Sequence, residues 1–232
     1  MEEILHTFNS VFSIDCLILG FDAGELKLLL IERNEEPFKD WLALPGYFVK
    51  QDESLDDAAD RILYELTGLR DLPMKQFHTF GEVNRHPQGR VITVGYYALI
   101  RINGQKELRP ISPYARKAIW RSVNDLPKLA FDHSEIFRKG FGIIRKRLNY
   151  QPIAFDLLPE KFTLTQLQGL YEAILNKKLD KRNFRKKMLS YGFLKELVEK
   201  QKGVSYRAAK LYKFDRRKYA KIFQSEMAAE GS

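Results

Sequence analysis

The sequence predicts two domains: an α/β sandwich over residues 1–150, then a winged helix-turn-helix over residues 151–232 that ends in a short tail. Three observations lead there. Strand-like and helix-like periodicities alternate through the first part, two short basic helices and a hairpin follow, and charge divides sharply between the parts. The 232 residues carry 39 Lys+Arg and 30 Asp+Glu, of which residues 151–232 hold 18 and 9, leaving 21 of each for residues 1–150. The net +9 therefore belongs wholly to the last third, which marks that part for a polyanionic partner.

The first elements are the apolar runs SIDCLILGF (13–21) and LKLLLIER (26–33), joined by DAGE, a glycine-containing turn that makes them a hairpin. From Glu53 to Thr67 the residues Leu55, Ala58, Ala59, Ile62, Leu63 and Leu66 recur at helical spacing, and Gly68 supplies the stop. Strand signals return at 75–83, 90–101 and 117–123, and a second helix is expected from about His133 to Leu148, with Asp132 as its cap. The lone Cys16 sits in an apolar run, which excludes an intrachain disulfide and marks a buried thiol. The start, MEEILHTFNSVF, lacks a basic n-region and no run reaches the roughly 18 apolar residues of a membrane span, so a cytoplasmic protein is expected.

Pro152 and Pro159 mark a linker into the second part. There Thr163 and Gln166 form a capping box ahead of a helix over 164–175, whose stripe is Leu164, Leu167, Leu170, Tyr171, Ile174 and Leu175. Asp180 caps a second helix, KRNFRKKMLSYG, expected to bury Phe184, Met188 and Leu189, and FLKELVEKQKGVSYRAAKLYKF reads as two strands around a Gln-Lys-Gly turn. Helix, turn, helix and hairpin describe a winged helix, whose second helix reads base edges. Lys181, Arg182, Asn183, Arg185, Lys186 and Lys187 are the expected DNA-contacting residues of that helix, with Lys202 and Arg207 added from the hairpin. Arg182, Asn183 and Lys186 suit base edges, while Lys187, Lys202 and Arg207 suit phosphates.

The stretch LPGYFVKQDESLDDAADRILYELTGL (44–69) resembles the Nudix box, Gly-x5-Glu-x7-Arg-Glu-U-x-Glu-Glu-x-Gly-U. Glu53, Arg61, Leu63, Glu65, Gly68 and Leu69 fit it. The box glycine falls on Tyr47, and two carboxylate positions that hold Mg²⁺ in that family fall on Ile62 and Leu66. Carboxylates at i and i+4 share one helix face and can clamp a divalent cation, whereas two hydrocarbons offer it no oxygen. Loss of the metal removes the main stabiliser of charge building on a pyrophosphate, so no enzyme and no metal or cofactor are expected. Glu53 and Arg61 are read as a structural tie, Glu65 as solvated or hydrogen-bonded, and Asp56, Asp57 and Asp60 as a solvated face.

PFKDWLALPGYFV, RHPQGRVITVGYYALI and LPKLAFDH resemble segments of the Nudix-related transcriptional regulators, a bacterial family that joins a Nudix-like domain to a winged helix; FTLTQLQGLYEAILNKKLDKRNFRKKML resembles their DNA-binding domain. The resemblance implies a repressor or activator whose Nudix-like domain has become a sensor, of ADP-ribose in some lineages and of arabinose in others. With the metal carboxylates gone, a diphosphate lacks its counterion, and the expectation is L-arabinose, with a repressor of sugar utilisation as the function. ADP-ribose control of NAD metabolism is the alternative, and a residual hydrolase using Asp57 or Glu65, or a nucleic-acid-binding protein without a small ligand, are the others. The expected partners are a double-stranded DNA operator and a small effector, with the protein acting as a homodimer and no membrane involved. Arg33, Trp41, Tyr47, Glu53, Arg61 and Arg85 are the expected ligand residues, and His133 a hydrogen-bonding residue at a helix start rather than a base.

Overall fold

The computed structural model describes residues 11–22, 24–102, 108–148, 153–201 and 208–221. The chain divides into two compact units, Met1–Gln151 and Pro152–Ser232. Among the described residues no helix is long and apolar enough to cross a membrane.

The first unit is a mixed sheet between two helices. Its strands are β1 (Val11–Asp22), β2 (Glu25–Arg33), the short β3 (Leu42–Ala43) and β4 (Gly46–Phe48), β5 (Lys75–Phe80), β6 (Val91–Arg101) and β7 (Ala115–Ser122). The order β3-β2-β1-β6-β5 forms the main path, with β4 paired to β1 and β7 to β2. Among the described strands only β1 and β6 run parallel, from Val11 beside Val91 to Phe21 beside Arg101; the β1–β2 hairpin closes at Asp22 opposite Glu25. Gly24 in its turn has φ 84°, a conformation that glycine adopts without penalty. Both long central strands are buried over almost their whole length, as a sheet covered on two faces requires.

Alternation along β1 divides the core. Ile14, Cys16 and Ile18 point to one face, where helix α1 (Leu55–Thr67) lays down Ala58, Ala59, Ile62, Leu63 and Leu66. Leu17 and Leu19 point to the other, covered by α2 (His133–Arg147) through Ile136, Phe141 and Ile144. At Gly140 a Cβ would stand 2.6 Å from Leu17 Cδ1, so α2 approaches the sheet more closely than any side chain would permit. The capping of α1 comes from Ser54, whose hydroxyl accepts from the Asp57 N–H, and its end from Gly68 at φ 80°. Ile62 and Leu66, at the box's carboxylate positions, are 0% and 1% exposed within the α1 core.

In the second unit a 3-10 turn (Ile153–Leu157) precedes α3 (Leu164–Leu175), α4 (Lys181–Ser190) and the antiparallel pair β8 (Leu194–Lys200) and β9 (Lys210–Phe214). Phe162 exchanges both backbone hydrogen bonds with Tyr212, adding a third short arm to the hairpin. Thr163 and Gln166 form the expected capping box, and the Asp180 carboxylate accepts from the Asn183 N–H. Glu172 accepts from the Leu179 N–H while Gln168 donates to the Leu179 carbonyl, which fixes the turn between the helices.

Two sequence expectations change here. The stretch after Pro152 is not a spacer, because Ala154, Phe155, Leu157 and Leu158 are buried and Phe155 stacks on Phe214 at 4.4 Å. Leu189 is 45% exposed, so α4 buries Phe184 and Met188 alone.

Candidate ligand-binding cleft and nucleic-acid interface

A cleft of about 230 Å³ opens beside β4 and the start of β1, lined by Ser13, Asp15, Arg33, Tyr47, Arg85, His86, Phe131 and His133 among others. This is below the roughly 300–1,000 Å³ usual for a pocket enclosing a whole drug-sized ligand. A volume of that size has room for one end of a larger molecule, or for a single sugar.

The floor is built on Asp15, a charge in the middle of an apolar strand and only 4% exposed. Thr93 donates its hydroxyl to Asp15 Oδ2 at 2.8 Å, His133 Nε2 lies 3.2 Å from Oδ1, and the Arg85 guanidinium stands 3.7 Å away. Burial opposes the charge on Asp15, but His133, Arg85 and Thr93 together outweigh it and hold the carboxyl below its usual range. His133 is the first residue of α2, and its Nδ1 accepts from the Leu44 N–H at 3.0 Å. That bond leaves Nδ1 without a proton and places the ring's proton on Nε2, toward Asp15. Gly46 closes the other side: a Cβ there would stand 2.1 Å from Asp15 Oδ1.

Arg85 gives Nε and Nη2 to the two oxygens of Asp132, each at 2.8 Å, a bidentate fork. Asp132 therefore does not cap α2, contrary to the sequence expectation: its carboxylate makes no bond to a helix amide. Arg33 donates to the Pro37 carbonyl at 3.0 Å and to Glu35, and its guanidinium lies 4.8 Å from the centre of the Phe131 ring. Phe131 also stacks on His86 at 4.9 Å. Burial, followed by the neighbouring Arg85, pushes the His86 pKa down and favours its neutral ring. Counted formally, Asp15, Glu35 and Glu36 set three carboxylates against the guanidiniums of Arg33 and Arg85.

Of the expected ligand residues, the cleft gathers Arg33, Tyr47 and Arg85. It does not gather Trp41, Glu53 or Arg61. Trp41 meets Phe38 edge-on at 5.4 Å and pairs through its backbone carbonyl with Arg33, anchoring the loop before β3. Glu53 and Arg61 neutralise each other: Arg61 Nε and Nη2 reach Glu53 at 2.7 and 2.5 Å, Nη2 also donates to the Phe48 carbonyl, and Nη1 reaches Glu65 at 3.1 Å. This is the structural tie, extended by Glu65. Tyr96 donates to Asp56 Oδ1, so that residue is not merely solvated. The cleft-lining residues that sequence reasoning missed are Asp15 and Phe131, together with the part His133 plays; His86, which the sequence offers with Arg85 and Arg90 as a phosphate-binding group or a merely exposed charge, lines the cleft as well. Asp15 left a usable signal, since a lone charge in VFSIDCLILGF must have a buried partner.

The box does not fit a divalent cation. Ile62 and Leu66 carry no oxygen, Asp57 is engaged with the Ser54 hydroxyl, and Glu65 with Arg61. Among the described residues no group of three or more His, Cys, Asp or Glu is placed to hold a metal ion.

On the second unit, Lys181, Arg182, Asn183, Lys186 and Lys187 are exposed on α4, and no ion pair joins them to a carboxylate among the described residues. Arg185 differs: it is half-buried, donates to Thr165 at 3.3 Å, and keeps its Nε buried. It braces α4 against the start of α3. Lys202 and Arg207 lie outside the described residues.

The NUDIX domain profile matches residues 11–140, and the NrtR DNA-binding winged helix domain profile matches residues 154–214. The chain is 34% identical over 210 residues to the ADPR responsive transcriptional repressor NtrR of Acinetobacter baylyi, covering 89% of this chain and 82% of that protein. It is 37% identical over 119 residues to an ADP-ribose pyrophosphatase of Methanocaldococcus jannaschii, covering 51% of this chain and 68% of the enzyme. Shewanella oneidensis NrtR, in a crystal structure with a 27mer DNA, superposes with TM-score 0.72 at 26% identity, covering 90% of this chain and 95% of that one. The NUDIX domain of the same protein, crystallised with ADP ribose, gives TM-score 0.53 at 27% identity over 63% of this chain and 97% of that one.

Proposed function

The chain belongs to the family of regulators that join a NUDIX domain to an NrtR-type winged helix, and from that premise we propose that it is a DNA-binding transcriptional repressor released from its operator by ADP-ribose. The observation that carries this reading is the pairing, in one chain, of a helix bearing exposed cations with a NUDIX-type domain whose metal-binding positions are core hydrocarbon. A domain altered in that way keeps the capacity to bind and has lost the means to turn over its ligand by the metal route. Asp15 is suited to accept from sugar hydroxyls, Tyr47 and Phe131 offer aromatic surface, and Arg33 and Arg85 are the cations within reach of a phosphate. The effector's identity is supported by the descriptions of the Acinetobacter repressor and the Shewanella complex.

L-Arabinose, the effector expected from sequence, gives way to ADP-ribose. That expectation rested on a diphosphate lacking a counterion, and the cleft supplies two arginines. Sugar utilisation as the regulated process has no support among the relatives named above. Hydrolysis is the second reading, favoured by the likeness to the pyrophosphatase. Calorimetric titration with ADP-ribose and with L-arabinose, followed by fluorescence anisotropy on a duplex enriched from random sequence by the protein itself, tests the proposal. The expected result is binding of ADP-ribose alone, loss of the duplex on binding, and no product with Mg²⁺ or Mn²⁺. Turnover at ordinary enzyme rates makes the protein a hydrolase instead.

A further inference from the structure

Every cation facing the cleft is already paired. An anionic ligand that enters among three carboxylates and two guanidiniums must draw one guanidinium from its present partner. Arg33 is held by the Pro37 and Glu35 carbonyls and by the Glu35 carboxylate, all within the loop that follows it. Arg85 is held by Asp132, and Asp132 has an alternative. It stands at the position before α2, where an aspartate ordinarily turns its carboxylate back to the helix amides. The capping residues of the other three described helices show the difference. Ser54, Thr163 and Asp180 are extended, with ψ of 165°, 155° and 122°, and each accepts from an amide of its helix. Asp132 has φ −93° and ψ 16°, and it meets the helix amides through its backbone carbonyl, which accepts from Glu135 and Ile136, while its carboxylate caps nothing. The residue before it, Phe131, has φ 51°, a left-handed conformation that costs a bulky side chain energy and persists only where the surroundings impose it. Its ring is held in the cleft by His86 and Arg33.

We propose that the Arg85–Asp132 ion pair is a latch: a ligand diphosphate takes Arg85, the freed Asp132 carboxylate caps α2, and the strained turn at Phe131 relaxes. The inference rests on the ADP-ribose reading and adds its means of transmission. The turn has two low-lying arrangements, and the ligand favours one of them by its differential contact with Arg85. Helix α2 is the last element of the first unit, and the chain passes from Arg147 into the unit that begins at Pro152.

Asp132→Asn and Arg85→Ala separate the latch from a plain binding role. Asparagine caps a helix as well as aspartate but forms no ion pair, so Asp132→Asn is expected to bind ADP-ribose about three- to tenfold more tightly, because the latch no longer competes for Arg85. Arg85→Ala is expected to bind it about tenfold more weakly or worse. Both should lower ligand-free affinity for the enriched duplex toward that of the ADP-ribose-saturated wild type. The His133, Glu135 and Ile136 amides already donate to the Ala130 and Asp132 carbonyls, so amide exchange at Ser134 should slow when ADP-ribose binds the wild type and be slow already in Asp132→Asn. If thermal melting shows Arg85→Ala unfolded, the gain of affinity and the exchange pattern of Asp132→Asn decide the matter. An Asp132→Asn protein with unchanged or weaker ADP-ribose binding overturns the latch and leaves the effector reading standing. Failure of the wild type to bind ADP-ribose overturns both.

Discussion

Arg61 is bound on three sides, and that sets what its loss should do. Its fork on Glu53 is buried enough that removing one partner strands the other, a change that typically costs a few kcal/mol. Arg61→Ala should lower stability by about 2–3 kcal/mol and loosen β4, whose Phe48 carbonyl it holds, without touching the cleft's charged groups. The Arg61 hydrogen bond pulls the Glu53 pKa to about 2, from an ordinary 4.5. A depressed carboxylate contributes stability that is complete above the unfolded value and disappears as pH falls through the folded one. The stability difference between wild type and Glu53→Gln should therefore be full near pH 6 and shrink between pH 4.5 and 2, which denaturant titrations across that range would show. Burial likewise decides whether a metal site can be built into the box. Ile62 and Leu66 are sealed in the core, so Ile62→Glu with Leu66→Glu should cost several kcal/mol rather than create a hydrolase. A folded double variant that cleaves ADP-ribose with Mg²⁺ contradicts this placement.

Among the elements, α4 carries the clearest division of labour. Arg182, Asn183 and Lys186 are exposed and suited to base edges, and Lys187 to a phosphate, whereas Arg185 leans on Thr165. Arg182→Ala should cost roughly 1–3 kcal/mol on the enriched duplex and little on random DNA. Lys187→Ala should weaken both about equally and reduce the salt slope by about one ion. Arg185→Ala should instead lower the melting temperature of the second unit. If Arg185→Ala acts like Arg182→Ala and the melting temperature stays put, the assigned reading surface is wrong. The cap of α3 offers a control: Thr163→Ala removes half of a capping box and should cost about 1 kcal/mol of stability.

For the whole molecule, a single winged helix reads only a few base pairs, and two copies on a two-fold operator are the usual remedy. The expected state is a homodimer whose recognition helices are separated by about one DNA turn, near 34 Å, or a multiple of it. Light scattering of the protein alone and with its enriched duplex checks this. A single copy on a non-palindromic site would rule out the symmetric arrangement. Salt dependence belongs to this scale too: with the excess charge confined to residues 151–232, duplex affinity should fall steeply with salt while ADP-ribose affinity falls only modestly.

The sequence alone determined whatever depends on neighbours along the chain. Helical spacing and caps located α1, α3 and α4, the hairpin turn joined β1 to β2, and Ile62 and Leu66 announced the missing metal ligands, because period, capping and ligand spacing are local properties of a few consecutive residues. The distribution of charge likewise assigned the polyanion to the second domain. The cleft was decided only by tertiary structure. Asp15, Thr93 and His133 lie far apart in sequence and meet because β1 pairs in parallel with β6 and α2 begins over the same end of the sheet. Trp41 and Arg61, which sequence placed with the ligand, went elsewhere because an edge-on phenylalanine and two carboxylates were nearer. Asp132, a sound cap by sequence, was taken by Arg85 from a loop 47 residues away, since a charge-assisted bidentate pair in a buried site outweighs a single bond to a helix amide.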